Sequence, residues 1–236
     1  MHEPTDSVPF KPPDDAASRL RERLGRAYLY LVTPANPPAG RLEDLLPRLL
    51  EAGVDMVQLR EKAMEAGPLL RHCETVRRWT ERFGAVFIVN DRVDVAIAAG
   101  ADGVHLGQDD LTVDEARRQM GPLPVIGLST HSPAQLNAGL AGGADYVAVG
   151  PVFSTPTKPG RPAVGLELVS LAADRAGSAK PVFAIGGIGP GNVAAVVEAG
   201  ARRISVVRAI TESEDPAGAA RELRDCVLGS SRRLDQ

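Results

Sequence analysis

Residues 54–107 read VDMVQLREKAMEAGPLLRHCETVRRWTERFGAVFIVNDRVDVAIAAGADGVHLG. Three short runs rich in branched and apolar residues stand out: VDMVQLR (54–60), VFIVN (86–90) and GVHLG (103–107). They are separated by the longer stretches 67–83 and 91–99, which carry a helical pattern. Strand-length runs alternating with helices predict a parallel sheet with right-handed crossovers.

The alternation extends in both directions. Further strand candidates are YLYLVT (28–33), PVIGLS (124–129), DYVAVG (145–150), PVFAIGG (181–187) and RISVV (203–207). Further helical candidates are 42–52, 113–120, 134–140, 166–176, 192–199 and 216–228. Eight strands and eight helices in about 200 residues predict a single α/β domain over 27–230, a (β/α)8 TIM barrel. An open doubly wound sheet is the alternative, weakened because no G-x-G-x-x-G follows the first strand. The motif A-G-[AV]-D recurs before the second and fourth strands, with a close variant before the sixth, and its glycine suits a helix end turning into a strand. Residues 1–26 read as an N-terminal tail, disordered over the Pro- and Asp-rich 1–15 with a short helix at 16–26, and residues 231–236 as a C-terminal tail.

Composition narrows the function. The chain has 236 residues, 44% hydrophobic and 24% charged, and a net charge of −3, so no basic field points to nucleic acid or an anionic membrane. No uncharged stretch reads as a membrane span and the N-terminus lacks the apolar core of a signal peptide. Two cysteines cannot form a disulfide framework, and a cytoplasmic location is the expectation. Of the 27 basic residues only Lys11, Lys62, Lys158 and Lys180 are lysines, which makes each one worth locating.

In a barrel of this kind chemistry gathers at the C-terminal ends of the strands. After the second strand, Gln58, Arg60 and Lys62 are spaced by two and so share a face, pointing into the barrel mouth, while Val57 and Leu59 face the helices. Three inward polar groups are costly unless they are paired or bind something. The third strand ends in Asn90-Asp91, and the fourth runs into Gln108-Asp109-Asp110. Carboxylates after neighbouring strands suit Mg2+, although each alone also reads as a helix cap; spacing does not choose between Asp109 and Asp110. Ser129 closes the fifth strand, and Ser132, Pro133 and Gln135 read as a helix start with a capping box. His105 faces inward as a hydrogen-bonded interior residue, and no Ser/His/Asp or metal–histidine set emerges. The long loop after the sixth strand carries Thr155, Thr157 and Lys158, and the seventh and eighth strands end in Gly186-Gly187-Ile188-Gly189 and Val207-Arg208, a setting for phosphate. These residues describe an enzyme that joins or splits phosphorylated small molecules.

Taken together, QLREK (58–62), VNDR (89–92), GVHLGQDDL (103–111), GLSTH (127–131), GPVFSTPTKPGRPAVGLE (150–167) and AIGGI (184–188) resemble the thiamine-phosphate synthase family in order and spacing. The resemblance implies a cytoplasmic transferase of thiamine biosynthesis. It would condense 4-amino-2-methyl-5-hydroxymethylpyrimidine diphosphate with 4-methyl-5-(2-phosphoethyl)thiazole, giving thiamine phosphate and pyrophosphate. It implies that Gln58, Arg60, Lys62, Asn90 and Lys158 hold the pyrimidine diphosphate, with Leu59 and Glu61 in the same segment, and that Ser129 lies beside the pyrimidine. It places Mg2+ on Asp91 and Asp110, and the thiazole phosphate on Thr155, Pro156, Thr157, Gly187 and the backbone of Val207-Arg208. Arg60, Lys62, Ser129 and Lys158 would carry the catalysis, and a homodimer is the assembly to look for. Many members have Ser where this chain has Arg208, and the expectation is that Arg208 adds a contact to the thiazole phosphate. The rival readings are a thiazole tautomerase or regulator of the same fold, or a phosphate-ligand-binding barrel without catalysis.

Overall fold

A computed structural model of the chain describes residues 14–156, 160–177 and 180–234. Its centre is a closed barrel of eight parallel strands in sequence order. These are β1 (Leu29–Thr33), β2 (Met56–Leu59), β3 (Val86–Asn90), β4 (Gly103–Leu106), β5 (Val125–Thr130), β6 (Tyr146–Val149), β7 (Val182–Ile185) and β8 (Ile204–Val206). Leu29 lies opposite Ile204, so β1 pairs with β8 and the open-sheet alternative is excluded. Around the barrel run α2 (Leu42–Glu51), α3 (Ala66–Phe83), α4 (Val93–Ala99), α5 (Val113–Met120), α6 (Pro133–Ala141), α7 (Gly165–Ala176), α8 (Val193–Glu198), the single-turn α9 (Arg208–Thr211) and α10 (Pro216–Leu234). The helix expected at 16–26 is α1 (Asp14–Gly25).

The ends of the chain differ from the sequence reading. Leu20 and Leu24, one turn apart on α1, are buried in the same cluster as Tyr30, Met56, Val86, Val125, Tyr146 and Phe183, so α1 forms the floor beneath the barrel. α10 continues to Leu234, past the 228 expected, because the lone Gly229 is followed by no proline to stop it. The disorder expected for 1–15 falls mostly on residues outside those described.

Strand alternation separates two cores. Outward positions such as Leu31, Val57, Leu59, Phe87 and Val104 pack with Leu45, Leu46, Leu49, Leu69 and Val76 of the helices. Inward positions include Tyr30, Val32, Met56, Ile88 and Phe183, and Tyr30, Tyr146 and Phe183 meet edge to face with centroids 5.4–6.0 Å apart. The inner wall is deliberately thin opposite these rings. A Cβ on Gly127 would lie 2.1 Å from the Tyr146 ring, so Tyr146 occupies the room that Gly127 leaves.

The aspartates of the A-G-[AV]-D motif and its variant tie the bottom of the barrel together. Asp55 accepts from the backbone N–H groups of Tyr28 and Leu29 and pairs with Arg224 at 2.7 Å. Asp102 accepts from Phe87 N–H and pairs with Arg23 of α1 at 3.1 Å. Asp145 accepts from Ile126 N–H and pairs with Arg117 and with Arg21 of α1. Each carboxylate thus satisfies donors at the start of the preceding odd-numbered strand.

Replacing Gly127 with Ala drives a methyl group into Tyr146. Calorimetry is expected to show a loss of about 1–3 kcal/mol, or a Tm lowered by roughly 2–10 °C. Gly67→Ala, with nothing within 4 Å of the new Cβ, serves as the control and leaves Tm within about 2 °C.

Candidate active site

At the C-terminal mouth of the barrel lies a cavity of about 320 Å³. Gln58, Arg60, Asn90, His105 and Ser129 line one side, and Thr155, the loop 186–192 and Ser205 to Ala209 line the other. Gln58, Arg60, Asn90, Ser129, Thr155, Gly187, Val207 and Arg208, all read from the sequence, therefore converge on one space, while Lys62, Asp91 and Asp110 lie outside its lining.

On β2 the alternation places Gln58 inside, where it is 3% exposed. Arg60, the first residue past the strand, is held through its backbone N–H on Thr33 O at 2.9 Å. Among the described residues its guanidinium has no ion-pair partner, and its buried Nε has no hydrogen-bond partner. Asn90 at the end of β3 likewise buries an unpartnered Nδ2. Buried donors without acceptors cost about 1–3 kcal/mol each, so these groups mark a place for an anion or a polar ligand. Lys62, half-exposed beyond the strand, reaches Asp91 at 3.3 Å.

Asp91 has φ 58, the one described non-glycine residue with positive φ. Arg92 rather than Asp91 is the cap residue of α4, so the capping role of Asp91 gives way to a strained turn that aims its carboxylate toward Asp110. Burial, hydrogen bonding to Asp110 and the charge of Asp110 push the Asp91 carboxyl above its ordinary range, and Lys62 pulls it part of the way back. Asp110 also accepts from Gly107 N–H at 2.7 Å, which ties it to the end of β4. Asp109 points elsewhere, exposed and 3.4 Å from Arg161. Helix α5 is capped by Thr112 and Glu115 in a reciprocal box, leaving neither aspartate with that duty.

Other expected residues are placed less directly. The side chain of Leu59 packs into the outer core, so only its backbone faces the mouth. Glu61 accepts from Ala35 N–H at 2.6 Å and holds the loop after β1. Thr155 lines the cavity, Pro156 is exposed at its edge, and Thr157 and Lys158 lie outside the described residues. Gly187 has φ 66, and a Cβ there would lie 2.8 Å from that of Phe153, so glycine is required. Arg208 opens α9 at the cavity edge, half-exposed and 3.5 Å from Glu212. Ser132 accepts from Gln135 N–H as expected, but Gln135 Oε1 reaches back to His131 N–H rather than to Ser132.

Several residues escaped the sequence reading. Asn192 accepts from Gly189 N–H and donates to Gly187 O, both at 2.9 Å, so it pins the glycine loop. Ser205, inward on β8, buries an unpartnered hydroxyl in the cavity wall. His105 is, as expected, a hydrogen-bonded interior residue, bridging Ser129 Oγ at 2.9 Å and Tyr146 Oη at 3.1 Å. Inward alternation along DYVAVG and RISVV is the signal that points to Tyr146 and Ser205. The buried Cys73 faces the outer core and its thiol is pushed up to about 11 by burial, so it is no nucleophile. Among the described residues no helix is long and apolar enough to cross a membrane.

A raised carboxyl pKa supports the fold while the group is protonated, and that support is lost as pH rises through the shifted value. In EDTA the Tm of the unsubstituted chain is therefore expected to fall relative to Asp91→Asn as pH rises from the ordinary carboxylate range of 3.8 toward neutrality. Thermal melts of the two proteins across pH check this, and a constant difference in Tm refutes it.

Comparisons with known proteins identify the family. Residues 29–210 match the family model described as thiamine monophosphate synthase. The chain is 50% identical over 218 residues to the thiamine-phosphate synthase of Mycobacterium tuberculosis, covering 89% of this chain and 98% of that protein. It is 51% identical over 211 residues to that of Saccharopolyspora erythraea, covering 87% of this chain and 95% of that one. Among solved structures, thiamine phosphate pyrophosphorylase from Pyrococcus furiosus superposes with a TM-score of 0.77 at 33% identity, covering 89% of this chain and 98% of that one. On the matched family model and these identities, the chain belongs to the thiamine-phosphate synthase family.

Proposed function

We propose that this chain is a transferase that condenses 4-amino-2-methyl-5-hydroxymethylpyrimidine diphosphate with 4-methyl-5-(2-phosphoethyl)thiazole, forming thiamine phosphate and pyrophosphate. Family membership supports the reaction, and the observation that carries it into this cavity is Arg60, a cation with a buried donor and no carboxylate partner among the described residues. The pyrimidine CH2–O bond breaks with its electron pair passing to the diphosphate oxygen, and the thiazole nitrogen then supplies its lone pair to the CH2 carbon. No proton has to be removed from that nitrogen, so the attack calls for no protein base. Arg60, Lys62 and Asn90 sit where charge develops on the leaving diphosphate and stabilise it as it departs. Lys158 is assigned the same duty from the sequence. Ser129 and Gln58, at the foot of the cavity, orient the pyrimidine. Thr155, the Gly187 loop and Arg208 face the thiazole phosphate.

Asp91 and Asp110 would hold Mg2+. Their fit rests on the turn that holds Asp91 against Asp110, where burial and then the second carboxylate push its carboxyl above the ordinary range, a cost that a divalent cation would relieve. Among the described residues no cluster of three or more His, Cys, Asp or Glu gathers, so these two carboxylates are the protein groups that would hold the ion, a number usual for Mg2+. When bound, Mg2+ adds charge neutralisation on the leaving group.

Pyrophosphate release measured with both substrates and Mg2+ is expected, and none with either substrate or the metal omitted. Arg60→Ala is expected to lower kcat by about 10²- to 10³-fold with the fold intact. No release under the complete conditions would return the choice to a tautomerase or a binding barrel. For Arg208, exchange of Glu212 for the thiazole phosphate predicts that Arg208→Ser raises the KM for that substrate about tenfold and leaves the pyrimidine KM alone. An unchanged thiazole KM removes Arg208 from the site.

A further inference from the structure

Five polar side chains cross the barrel beneath the cavity in one chain of hydrogen bonds. Gln58 Nε2 donates to Tyr30 Oη at 2.5 Å. Tyr30 Oη lies 3.0 Å from Tyr146 Oη. Tyr146 Oη lies 3.1 Å from His105 Nδ1, and His105 Nε2 lies 2.9 Å from Ser129 Oγ. All five side chains are buried, and the two ends, Gln58 and Ser129, line the cavity.

We propose that this chain is a positioning relay that fixes opposite hydrogen-bonding characters at its ends, so that Gln58 presents an acceptor and Ser129 a donor to the pyrimidine substrate. The inference rests on the placement of the pyrimidine between Gln58 and Ser129 given under Proposed function.

The direction follows from counting protons. A phenol has one hydrogen. Because Tyr30 accepts from Gln58, its own hydrogen goes to Tyr146, and that of Tyr146 goes to His105 Nδ1. The imidazole is then protonated at Nε2 and donates to Ser129 Oγ, which leaves the serine hydrogen to point into the cavity. At the other end Gln58 has spent its amide N–H on Tyr30 and offers Oε1. Burial pushes both phenols above their ordinary range, so each keeps the hydrogen that the relay needs. A ring that presents one N–H donor and one bare ring nitrogen satisfies both ends, and a 4-aminopyrimidine carries that pair. A ring with two acceptors or two donors leaves one end buried and unpaired, at a cost of about 1–3 kcal/mol. Tyr30 and Tyr146 need not touch the substrate to do this, which makes them positioning residues.

The test reads the tautomer of His105 and the split between the two substrates. In full-length protein labelled with 15N-histidine, the NMR signals of His105, assigned by their loss in His105→Gln, are expected to show neutral imidazole with hydrogen on Nε2. Tyr146→Phe is expected to disturb that tautomer and to raise the KM for the pyrimidine diphosphate about tenfold, with the KM for the thiazole phosphate within about twofold of its starting value. Tyr30→Phe cuts the line one step earlier and is expected to show the same split, so the test survives if one variant fails to fold. Hydrogen on Nδ1 in the unsubstituted protein overturns the relay, as does an equal rise in both KM values in each folded variant. The expected tautomer together with a Ser129→Ala variant of unchanged pyrimidine KM overturns the placement of the pyrimidine, and the proposal with it.

Discussion

The ring of Tyr146 lies over Gly127, in a space that a Cβ at that position would close. An eight-stranded barrel encloses just enough room for its inward side chains, so one large residue demands a small one opposite. Here Tyr146, Tyr30 and Phe183 fill the lower interior while β4, β5 and β6 contribute Gly103, Gly127 and Ala148 at inward positions. Choosing tyrosine over phenylalanine brings hydroxyls into a closed core. Those hydroxyls must be paired, and their partners are Gln58 and His105. A packing constraint at the centre thus dictates a polar network, and the network ends at the residues that face the cavity.

The two ends of the barrel solve different electrostatic problems. At the bottom, Asp55, Asp102 and Asp145 are matched by arginines and by backbone N–H groups, and α1 closes the floor with Leu20 and Leu24. These carboxylates are structural because every one is satisfied from within. At the top, among the described residues, Arg60 and Asn90 keep buried donors unpaired, and Asp91 holds a strained backbone beside a second carboxylate. Unpaired and strained groups persist where the surrounding fold is stable enough to carry them, and the matched collar below contributes that stability.

Much of this was legible in the sequence because strand alternation is a strict period of two. The spacing of Gln58, Arg60 and Lys62 identified the mouth, and the branched runs identified all eight strands. The same period placed the Leu59 side chain on the outer face, where the structure has it. Other features were hidden for stated reasons. Tyr30 and Tyr146 look like ordinary core aromatics until their hydroxyl partners, 28 and 41 residues away, are known. The α1 floor was hidden because a short helix beside a Pro-rich stretch gives no sign of what covers its leucines. The Asp in A-G-[AV]-D was read past because glycine alone explained the turn, while its true work is done for a different strand.

Placement also explains the lysine pattern. Lys62 lies beyond the end of β2, where no pleat fixes it, and it is half-exposed beside Asp91. Arg60, one step closer to the barrel, is anchored by its backbone and buries its Nε. A rigid fork suits the position set by the strand, because its donors are already aimed when a ligand arrives. A flexible ammonium suits the position beyond it, where in the proposed reaction the cation would leave Asp91 for the departing diphosphate. In an arginine-rich chain the lysine at this position stands out, and the geometry of the strand end supplies its reason.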